Sequence, residues 1–502
     1  MRLDYLLNGL SILEHHGKEN PEIKGLTSDS RAVKKGYLFV AVKGSNQDGH
    51  RYLAHAVQRG AHALVVENVE RVIRGITIVR VPDTRAALSE LAARFYDYPA
   101  RGMNLIGITG TNGKTTASYI LESILKEVGS NVGVIGSVSY RFGGKSLKAS
   151  LTTPESSDLM RIIREMRDAG VTDIIAEVSS HSLDQGRTRG LNWARALFTN
   201  FSRDHLDYHA TMEEYFSAKS RLFCSLGEDQ NTDQVRAVIN MDDPKGSILE
   251  NITKVSVVSY GLGDNCLLRA TDIESTAGGL RFRLVTPSGE VPITSSLLGQ
   301  INVYNILGAA ATAFSLNIDL GIIARGIKKL THVPGRLQPV GNTRGLSLFV
   351  DYAHSPDALE KVLQTLLRLR RANGKMITVF GCGGDRDRGK RPDMGRVAGN
   401  YSDLAIITSD NPRGEDPAAI THDVELGIRE SGLKRIESGL PCKEKGYEII
   451  LDRRKAIHAA ISRAKKEDIV LIAGKGHEDY QIIGNRKRHF DDVEEAALAA
   501  GE

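Results

Sequence analysis

A glycine-rich stretch, GITGTNGKTT at residues 107–116, constrains the fold of this chain more than any other feature. It follows a short apolar run at 105–109 that reads as a strand. After it, apolar residues recur at helical spacing at Ile120, Leu121, Ile124, Leu125 and Val128. A glycine loop between a strand and a helix lets backbone N–H groups surround phosphate oxygens, and the helix N-terminus adds favourable partial charge. The pattern therefore predicts a nucleotide-binding loop.

This loop departs from the usual phosphate-binding signature, G-x-x-x-x-G-K-[ST], at its first glycine. That signature requires glycine at position 108, where this chain has Ile108. Because the residues nearest the lysine form the phosphate cradle, we still predict that the loop holds a triphosphate. Lys114 would neutralise the β- and γ-phosphates, and the Thr115 hydroxyl would bind Mg²⁺.

Size and composition limit the class of protein. The chain has 502 residues, too many for one ordinary core, and this length predicts about three domains. A formal charge of +5 is small for this length and argues against bulk nucleic-acid binding. Four cysteines lie far apart (Cys224, Cys266, Cys382 and Cys442), and no long apolar segment is present. We therefore expect a cytoplasmic enzyme with no nucleic-acid partner and no stable membrane association.

Alternation of strands and helices predicts an α/β fold in three domains. Residues 1–100 would form a small N-terminal α/β domain, and residues 101–334 a central P-loop-type ATP-binding domain with a parallel sheet. Residues 335–502 would form a C-terminal Rossmann-like domain. Within the central domain we expect a β-rich segment near 235–297, followed by the helix LLGQINVYNILGAAATAF.

Four apolar runs in the C-terminal domain each end in polar or glycine residues. LSLFV leads into Asp351, MITVF into GCGGDRDRGK, LAIIT into SDNPR, and IVLIA into GKGHEDY. In parallel α/β sheets, ligands bind outside the carboxyl ends of the strands. The four strand ends together predict a second binding site. The alternative is that glycine and aspartate only form the connecting loops.

Two further residues are candidates for a magnesium site. Glu177 closes an apolar strand predicted at 173–178, where its carboxylate could face the glycine loop. His205 is a second candidate, although imidazole is a less typical ligand of Mg²⁺ than oxygen. An isolated Glu at a strand end is usually a surface residue, and a lone His is usually structural.

Several motifs, taken in order, resemble those of the Mur ligases, the ATP-dependent amide-forming enzymes of peptidoglycan precursor synthesis. They are GITGTNGKTT, TTPES (152–156), EVSSH (177–181), NFSRDHLDYH (200–209), AKSRLF (218–223), NVYN (302–305) and DYAHSPDAL (351–359). The resemblance implies that ATP phosphorylates a substrate carboxylate and that an amine then captures the acyl phosphate.

The resemblance also implies roles for individual residues. Catalytic roles fall to Lys114, Lys219, Glu177 and His205. ATP would be bound by Gly110, Thr111, Asn112, Gly113, Lys114, Thr115, Thr116, Asn302, Asn305, Arg336 and Asp351. Mg²⁺ would be held by Thr115, Glu177, His205 and Lys219, the last modified to a carbamate (N6-carboxylysine). A UDP-N-acetylmuramoyl dipeptide would meet the N-terminal domain and its boundary through Ser30, Gln47, Thr152, Thr153, Glu155, Ser179, Ser180 and Arg187.

The motif DNPR at 410–413 bears on the amino-acid substrate. Arg413 can hold a carboxylate with two parallel hydrogen bonds. Meso-diaminopimelate carries such a group on its far carbon and lysine does not, so the resemblance implies meso-diaminopimelate. The implied pocket comprises Arg386, Asp410, Asn411, Pro412, Arg413, Gly474 and Glu478, with Glu478 facing the distal ammonium.

Three alternatives stay open at this point. The chain could be a lysine-adding Mur ligase or a ligase like folylpolyglutamate synthase, which shares the glycine loop. It could also be a nucleotide-dependent switch, which would need no amino-acid pocket. From the resemblance we expect a monomer.

Overall fold

The structure is a computed structural model that describes residues 1–17, 19–44, 47–68, 75–228, 232–276, 278–436 and 445–501. Cys442 lies outside the described residues. Contacts divide the chain into two compact units, Met1–Leu267 with Gly308–Ile318, and Leu268–Leu307 with Asp319–Glu502. The domain boundaries after residues 100 and 334 stay a prediction.

The N-terminal part of the first unit contains a sheet of five strands in the order β1-β5-β4-β3-β2. Successive side chains of a strand point to opposite faces of the sheet, so Leu38 and Val40 face one core cluster while Phe39 and Ala41 face another. The elements are α1 Leu3–Leu7, β1 Glu14–His16, β2 Gly25–Thr27, β3 Tyr37–Val40, α2 Leu53–Gln58, β4 Ala61–Val66, β5 Thr77–Arg80 and α3 Thr84–Phe95.

The central part of the first unit is a largely parallel sheet flanked by helices. Its elements are β6 Asn104–Thr109, α4 Lys114–Val128, β7 Val132–Ile135, β8 Ser139–Phe142, β9 Lys145–Lys148, α5 Ser156–Asp168, β10 Asp173–Glu177, α6 Ser180–Asp184, β11 Arg195–Phe198, α7 Met212–Cys224, β12 Arg236–Asn240, α8 Gly246–Ile252 and β13 Ser256–Gly261. Strand β6 lies between β10 and β11 and runs parallel to both. The chain segments that follow these three strands therefore meet at one edge of the sheet, where α/β proteins bind ligands.

The second unit opens with an antiparallel meander and contains a second parallel sheet. Its elements are β14 Leu268–Thr276, β15 Gly279–Thr286, β16 Gly289–Ser295, α9 Gln300–Ser315, α10 Leu320–Lys329, β17 Gln338–Pro339, β18 Ser347–Asp351, α11 Pro356–Leu369, β19 Met376–Phe380, α12 Lys390–Tyr401, β20 Leu404–Ile407, α13 Pro417–Glu430, β21 Lys434–Arg435, β22 Gly446–Ile449, α14 Arg453–Arg463, β23 Ile469–Ala473, β24 Tyr480–Ile483, β25 Arg486–His489 and α15 Asp492–Ala500. Helix α9 begins in the second unit and ends in residues of the first.

The four apolar runs of the C-terminal domain form neighbouring parallel strands, as the sequence predicts. The order is β17-β18-β23-β19-β20-β22-β21, and β18, β23, β19 and β20 pair in parallel. Their carboxyl ends therefore lie along one edge. The predicted α/β fold class is confirmed, and the helix expected after residue 297 is α9. The segment 235–297 is β-rich but also contains helix α8, whose only clear apolar signal is a buried Leu249 between exposed Ile248 and Ile252.

Candidate active site

The glycine loop joins β6 to α4 as predicted. Gly113 is the residue that caps α4, and its φ of 87° is in the left-handed region that favours glycine. Gly110 has φ of 144°, and a Cβ at this position would overlap the hydroxyl of Thr199 on the neighbouring strand segment. Both glycines are therefore required by the shape of the loop, whereas Ile108 is a buried residue of β6. The signature's first glycine is not needed there.

Hydrogen bonds hold the loop in a closed turn. The ammonium of Lys114 donates to the carbonyls of Gly110 at 2.8 Å and Thr111 at 2.9 Å. The backbone N–H of Asn112 donates to Oδ1 of Asn200 at 3.0 Å, and the Asn200 amide donates back to the Asn112 carbonyl at 3.0 Å. Asn200 follows β11, and sequence reasoning did not identify it as a loop-positioning residue.

Glu177 lies at the carboxyl end of β10 and its side chain faces the first turn of α4. Thr115 donates from Oγ1 to the Glu177 carboxylate at 2.9 Å. Ser137 donates to the same carboxylate from its backbone N–H at 3.1 Å and from its hydroxyl at 2.9 Å, and the Thr152 hydroxyl is 3.0 Å from that of Ser137. Glu177 is buried. Sequence reasoning missed Ser137, which no motif marked.

Lys219 lies on α7 and its side chain is buried, with 1% of its surface exposed. Its Nζ donates to the carbonyl of Gly110 at 2.8 Å and lies 4.6 Å from the centre of the Tyr215 ring. Burial, with the nearby charge of Lys114, lowers the pKa of Lys219 well below its ordinary value. A helical lysine is normally a solvated surface charge, so its burial beside the loop marks it as a functional candidate.

His205 belongs to a group of rings beside the same loop. Its ring centre lies 4.9 Å from that of His181 and 5.7 Å from that of Tyr215. Burial lowers the pKa of His205 to about 4, and the nearby His181, Lys114 and Lys219 act in the same direction. The imidazole is therefore neutral at physiological pH, which is the form that can bind a metal ion.

Residues predicted for the dipeptide substrate gather behind Glu177. The Thr153 hydroxyl donates to the Glu177 carbonyl at 2.8 Å and accepts from the Ser179 N–H at 3.1 Å. Arg187 donates to the Thr153 carbonyl at 2.9 Å and pairs with Glu155 at 2.8 Å. Ser179 caps α6. These residues therefore form one hydrogen-bonded group at the end of β10 and the start of α6.

Other predicted members of this group differ in accessibility. Ser180 is buried, and its hydroxyl makes no hydrogen bond among the described residues. Ser30 is buried in the N-terminal sheet region, 3.1 Å from the His55 ring, and exposed Gln47 accepts from Tyr52 at 3.2 Å. Gln185 is absent from the sequence prediction. Its Oε1 accepts hydrogen bonds from Nε and Nη2 of Arg187 at 3.0 and 2.6 Å.

The remaining predicted ATP contacts belong to the second unit. Asn302 and Asn305 are buried on α9, where Asn305 donates to Asn302 Oδ1 at 2.9 Å. The guanidinium of Arg336 stacks 4.7 Å above the Tyr352 ring. Asp351 ends β18, and its two oxygens accept the backbone N–H groups of Leu337 at 2.6 Å and Ala353 at 2.7 Å. Burial raises the pKa of Asp351.

The DNPR segment follows β20 and contacts the glycine loop that follows β19. Arg413 has φ of 52°, and its guanidinium donates to the carbonyl of Gly384 at 2.8 Å. Its backbone joins the β24–β25 hairpin, because its N–H donates to Ile482 and its carbonyl accepts from Gly484. Arg386 is exposed on the loop after β19, near Gly383, and Pro412 is buried. Side-chain atoms of Arg386 and Arg413 therefore both lie near Gly383.

Lys475 is the residue of this pocket that sequence reasoning missed. It is fully buried, and its Nζ lies 3.3 Å from Asp410 Oδ1, 3.2 Å from Asn411 Oδ1 and 3.4 Å from Glu478 Oε2. Asn411 also donates to Glu478 at 2.9 Å. Gly474, with φ of 116°, lies next to Asp410. The motif GKGHEDY contained this lysine, but only burial separates it from an ordinary surface charge.

Two buried arginines form ion pairs in the same part of the second unit. Arg391 pairs with Glu415 at 2.8 Å and with Asp423 at 2.9 Å, and thereby ties α12 to the segment after DNPR. Arg453 donates twice to Asp492, at 2.8 and 2.6 Å, and both side chains are fully buried. Neither network was predicted.

The four residues predicted to bind magnesium thus lie near the glycine loop, namely Thr115, Glu177, His205 and Lys219. Within the described ranges, no group of three His, Cys, Asp or Glu side chains is placed to hold a metal ion. The predicted set instead relies on a hydroxyl and on modification of a lysine. No helix in the part of the chain that the structure describes is long and apolar enough to cross a membrane.

Comparison with known families agrees with this geometry. Three family models match, described as the Mur ligase family catalytic domain over residues 22–96, the Mur ligase middle domain over 108–313, and the Mur ligase glutamate ligase domain over 335–476. The chain belongs to the Mur ligase family.

Individual relatives are similar over their full length. A Geobacter metallireducens protein named UDP-N-acetylmuramoyl-L-alanyl-D-glutamate–2,6-diaminopimelate ligase is 48% identical over 100% of this chain and 99% of its own. A Bacillus cereus protein of the same name is 44% identical, over 99% and 98%.

Two solved structures have folds similar to that of this chain. One of a ligase with that name aligns with a TM-score of 0.65 and 33% identity, over 95% of this chain and 94% of its own. A Mycobacterium tuberculosis folylpolyglutamate synthase, complexed with ADP and AMPPCP, aligns with a TM-score of 0.62 at 19% identity, over 78% and 92%. At that identity the second comparison shows a shared fold alone.

Proposed function

We propose that this protein is an ATP-dependent ligase that joins meso-2,6-diaminopimelate to the D-glutamyl γ-carboxylate of UDP-N-acetylmuramoyl-L-Ala-D-Glu. The observation that carries the proposal is the strand edge of the second unit. There, Arg413 and Arg386 offer cations for a carboxylate, and Asp410 and Glu478 offer carboxylates for an ammonium. The full-length similarity to ligases of that name supports it.

The reaction divides into two displacements. The γ-carboxylate attacks the γ-phosphorus of ATP, the bond to the β–γ bridging oxygen breaks, and ADP leaves. The substrate amine then attacks the acyl phosphate carbon, loses a proton, and expels inorganic phosphate. Gly110, Thr111, Asn112, Gly113, Lys114, Thr115 and Thr116 would bind and orient the triphosphate through backbone N–H groups and the Lys114 charge. The protein's part is mainly positioning and neutralisation of charge.

The residues around Glu177 fit a magnesium ion. The Thr115 hydroxyl, the Glu177 carboxylate and the Ser137 hydroxyl offer hard oxygen donors within one hydrogen-bonded group, which is the donor type Mg²⁺ prefers. The neutral His205 imidazole adds a fourth candidate. A bound Mg²⁺ would supply positive charge to the phosphate oxygens as ADP leaves.

The surroundings of Lys219 fit a carbamate. Carbamylation requires an uncharged amine, and the lowered pKa of the buried Lys219 favours that form. Loss of a positive charge also relieves its repulsion with Lys114. The carbamate would place a carboxylate beside Gly110 and support a second magnesium ion.

The remaining roles are those that the resemblance to the Mur ligases implies. Polar groups behind Glu177 would bind the dipeptide, namely Thr152, Thr153, Glu155, Ser179, Ser180 and Arg187, with Ser30 and Gln47 from the N-terminal sheet region. Asn302, Asn305, Arg336 and Asp351 would contact the adenosine and γ-phosphate portions of ATP. We further propose a cytoplasmic monomer, which sedimentation of the purified protein would test.

An amino-acid panel tests the proposal. Phosphate release is measured with UDP-muramoyl dipeptide, ATP and either meso-diaminopimelate, L-lysine or L-ornithine, and with folate plus glutamate. We expect turnover with meso-diaminopimelate and at least about a hundredfold lower kcat/KM with L-lysine, since the Arg413 charge would lose its carboxylate partner.

A variant checks that the preference arises at this pocket. Arg413→Ala should raise the KM for diaminopimelate far more than the KM for ATP, because the guanidinium would contact only the amino acid. Turnover by the wild type with folate alone, or phosphate release that needs no amine, would overturn the proposed function. Equal effects of Arg413→Ala on both KM values would contradict a carboxylate clamp.

A further inference from the structure

Lys475 joins three side chains of the proposed amino-acid pocket. A lysine ammonium has three N–H donors and no acceptor. Three oxygens lie within 3.2–3.4 Å of Nζ, one each from Asp410, Asn411 and Glu478. The side chain is fully buried, so its charge has these neighbours in place of water. The ammonium therefore holds residues from two different strand ends in one arrangement.

The charges in this group do not cancel. Two carboxylates, Asp410 and Glu478, face one ammonium, which leaves one negative charge uncompensated. Burial by itself would raise the pKa of Asp410, but Lys475, with Arg453 and His354, holds that pKa below its usual range. Arg453 is itself neutralised by two hydrogen bonds to Asp492. The excess negative charge therefore belongs to the cluster of Lys475, Asp410 and Glu478.

Buried charge of one sign is costly unless a counter-charge arrives. An amino acid with a second ammonium would bring one positive charge, which matches the excess. Its far carboxylate would meet Arg413, whose guanidinium is held by the Gly384 carbonyl. The pocket thus has separate zones for the two charged groups on the far carbon of such a substrate.

We propose that Lys475 is a positioning residue that determines amino-acid specificity, by holding Asp410, Asn411 and Glu478 together and leaving this group a single negative charge. The inference rests on the proposed function and extends it to a residue that need not touch the substrate. Asn411 keeps a second tie, because its Oδ1 also accepts the Ile482 N–H at 2.9 Å. Loss of Lys475 should therefore change the charge of the pocket more than its backbone.

A charge-compensation cycle tests this inference. Lys475→Met keeps the length of the side chain but removes the ammonium that holds Asp410 and Glu478 together. The two carboxylates then repel one another and move apart, so the KM for diaminopimelate should rise at least about 30-fold. The KM values for ATP and for the muramoyl dipeptide should stay within about twofold. The double variant Lys475→Met with Asp410→Asn restores one net negative charge, and its KM should fall well below that of Lys475→Met alone.

Controls separate this proposal from a structural role and from failure of the proposed function. Lys455→Met, at an exposed lysine of α14, should leave all three KM values unchanged. A double variant no better than Lys475→Met, equal rises in every KM, or a double variant as poorly folded as the single one by thermal melting would overturn the proposal. If the wild type does not use diaminopimelate, the proposed function fails, and the same cycle with the amino acid that it does use still tests Lys475.

Discussion

At the scale of single residues, three lysines of the candidate sites differ in burial, because Lys114 is half-buried whereas Lys219 and Lys475 are buried. Lys114, Lys219 and Lys475 are all lysines in recognisable motifs, yet their surroundings differ. Lys114 folds onto loop carbonyls, Lys219 is buried against Tyr215, and Lys475 is buried among carboxylates. We propose that the same side chain serves as a phosphate partner at Lys114, as the amine that is carbamylated at Lys219 and as a counter-ion at Lys475, because the local environment sets its protonation and contacts.

Lys219→Ala tests the proposal that Lys219 is carbamylated. The variant removes the amine that would carry the carbamate, so kcat should fall at least about a hundredfold, and added bicarbonate should not restore it. In ¹³C-bicarbonate, the wild type should show a carbamate resonance by NMR that the variant lacks. Because the carbamate forms only from the neutral amine, this resonance should weaken as the pH is lowered.

The matched comparison for Lys219 is Lys245→Ala, which removes a lysine of the first unit whose Nζ lies 4.8 Å from the Phe216 ring. That variant should keep both the resonance and the activity. Normal turnover by Lys219→Ala would refute the carbamate assignment.

At the scale of elements, the strand ends are held by buried ion pairs as well as by the sheets. Arg453 begins α14 and Asp492 begins α15, so their two hydrogen bonds tie the starts of two helices together. A third bond from Arg453 reaches the Ala473 carbonyl at the end of β23, one residue before Gly474. The pair therefore supports the segment that carries Lys475 and Glu478.

Asp492→Ala should destabilise the protein strongly. Removing one partner leaves a fully buried guanidinium without its counter-charge, a change that costs about 3–5 kcal/mol. Urea denaturation followed by circular dichroism measures the loss in the free energy of unfolding. Lys361→Ala, which breaks an exposed pair with Asp357 on α11, should cost only about 0.5 kcal/mol. Similar losses for the two variants would show that burial of the Arg453 pair adds nothing.

At the scale of the whole molecule, the chain passes between its two compact units more than once. The first unit consists of Met1–Leu267 and Gly308–Ile318, so part of its core comes from the end of α9. Arg195 on β11 depends on this return, because its guanidinium donates to the hydroxyl and the carbonyl of Ser315 at 2.8 and 2.6 Å. Burial lowers the pKa of Arg195 to about 10.

Truncation should reveal this dependence. A fragment of residues 1–267 lacks Ser315 and the buried alanines 309–311 and 313, so we expect it to melt at a lower temperature and less cooperatively than a fragment of residues 1–318. Thermal melts and limited proteolysis of both fragments measure the difference. Identical melting of the two fragments would show that residues 308–318 are dispensable for the first unit.

The amino-acid sequence by itself determined most of the strands and helices that carry the candidate sites. The strand, loop and helix around residue 110 could be predicted, because the spacing of glycines and the periodicity of apolar residues are local properties of the chain. The four strand ends of the C-terminal domain could be predicted for the same reason. The order of the motifs along the chain indicated the Mur ligase family. Helix α8 was missed because a short helix with one buried leucine has no clear period.

Only the tertiary structure decided which of these residues are buried together. Ser137 contacts Glu177, and Asn200 holds the glycine loop. Lys475 links Glu478 to Asp410, which lies 65 residues before Lys475 in the chain. Nothing local distinguishes such a serine or lysine from one on the surface. The physical reason is that desolvation and charge pairing depend on neighbours brought close by the fold, and sequence spacing does not report them.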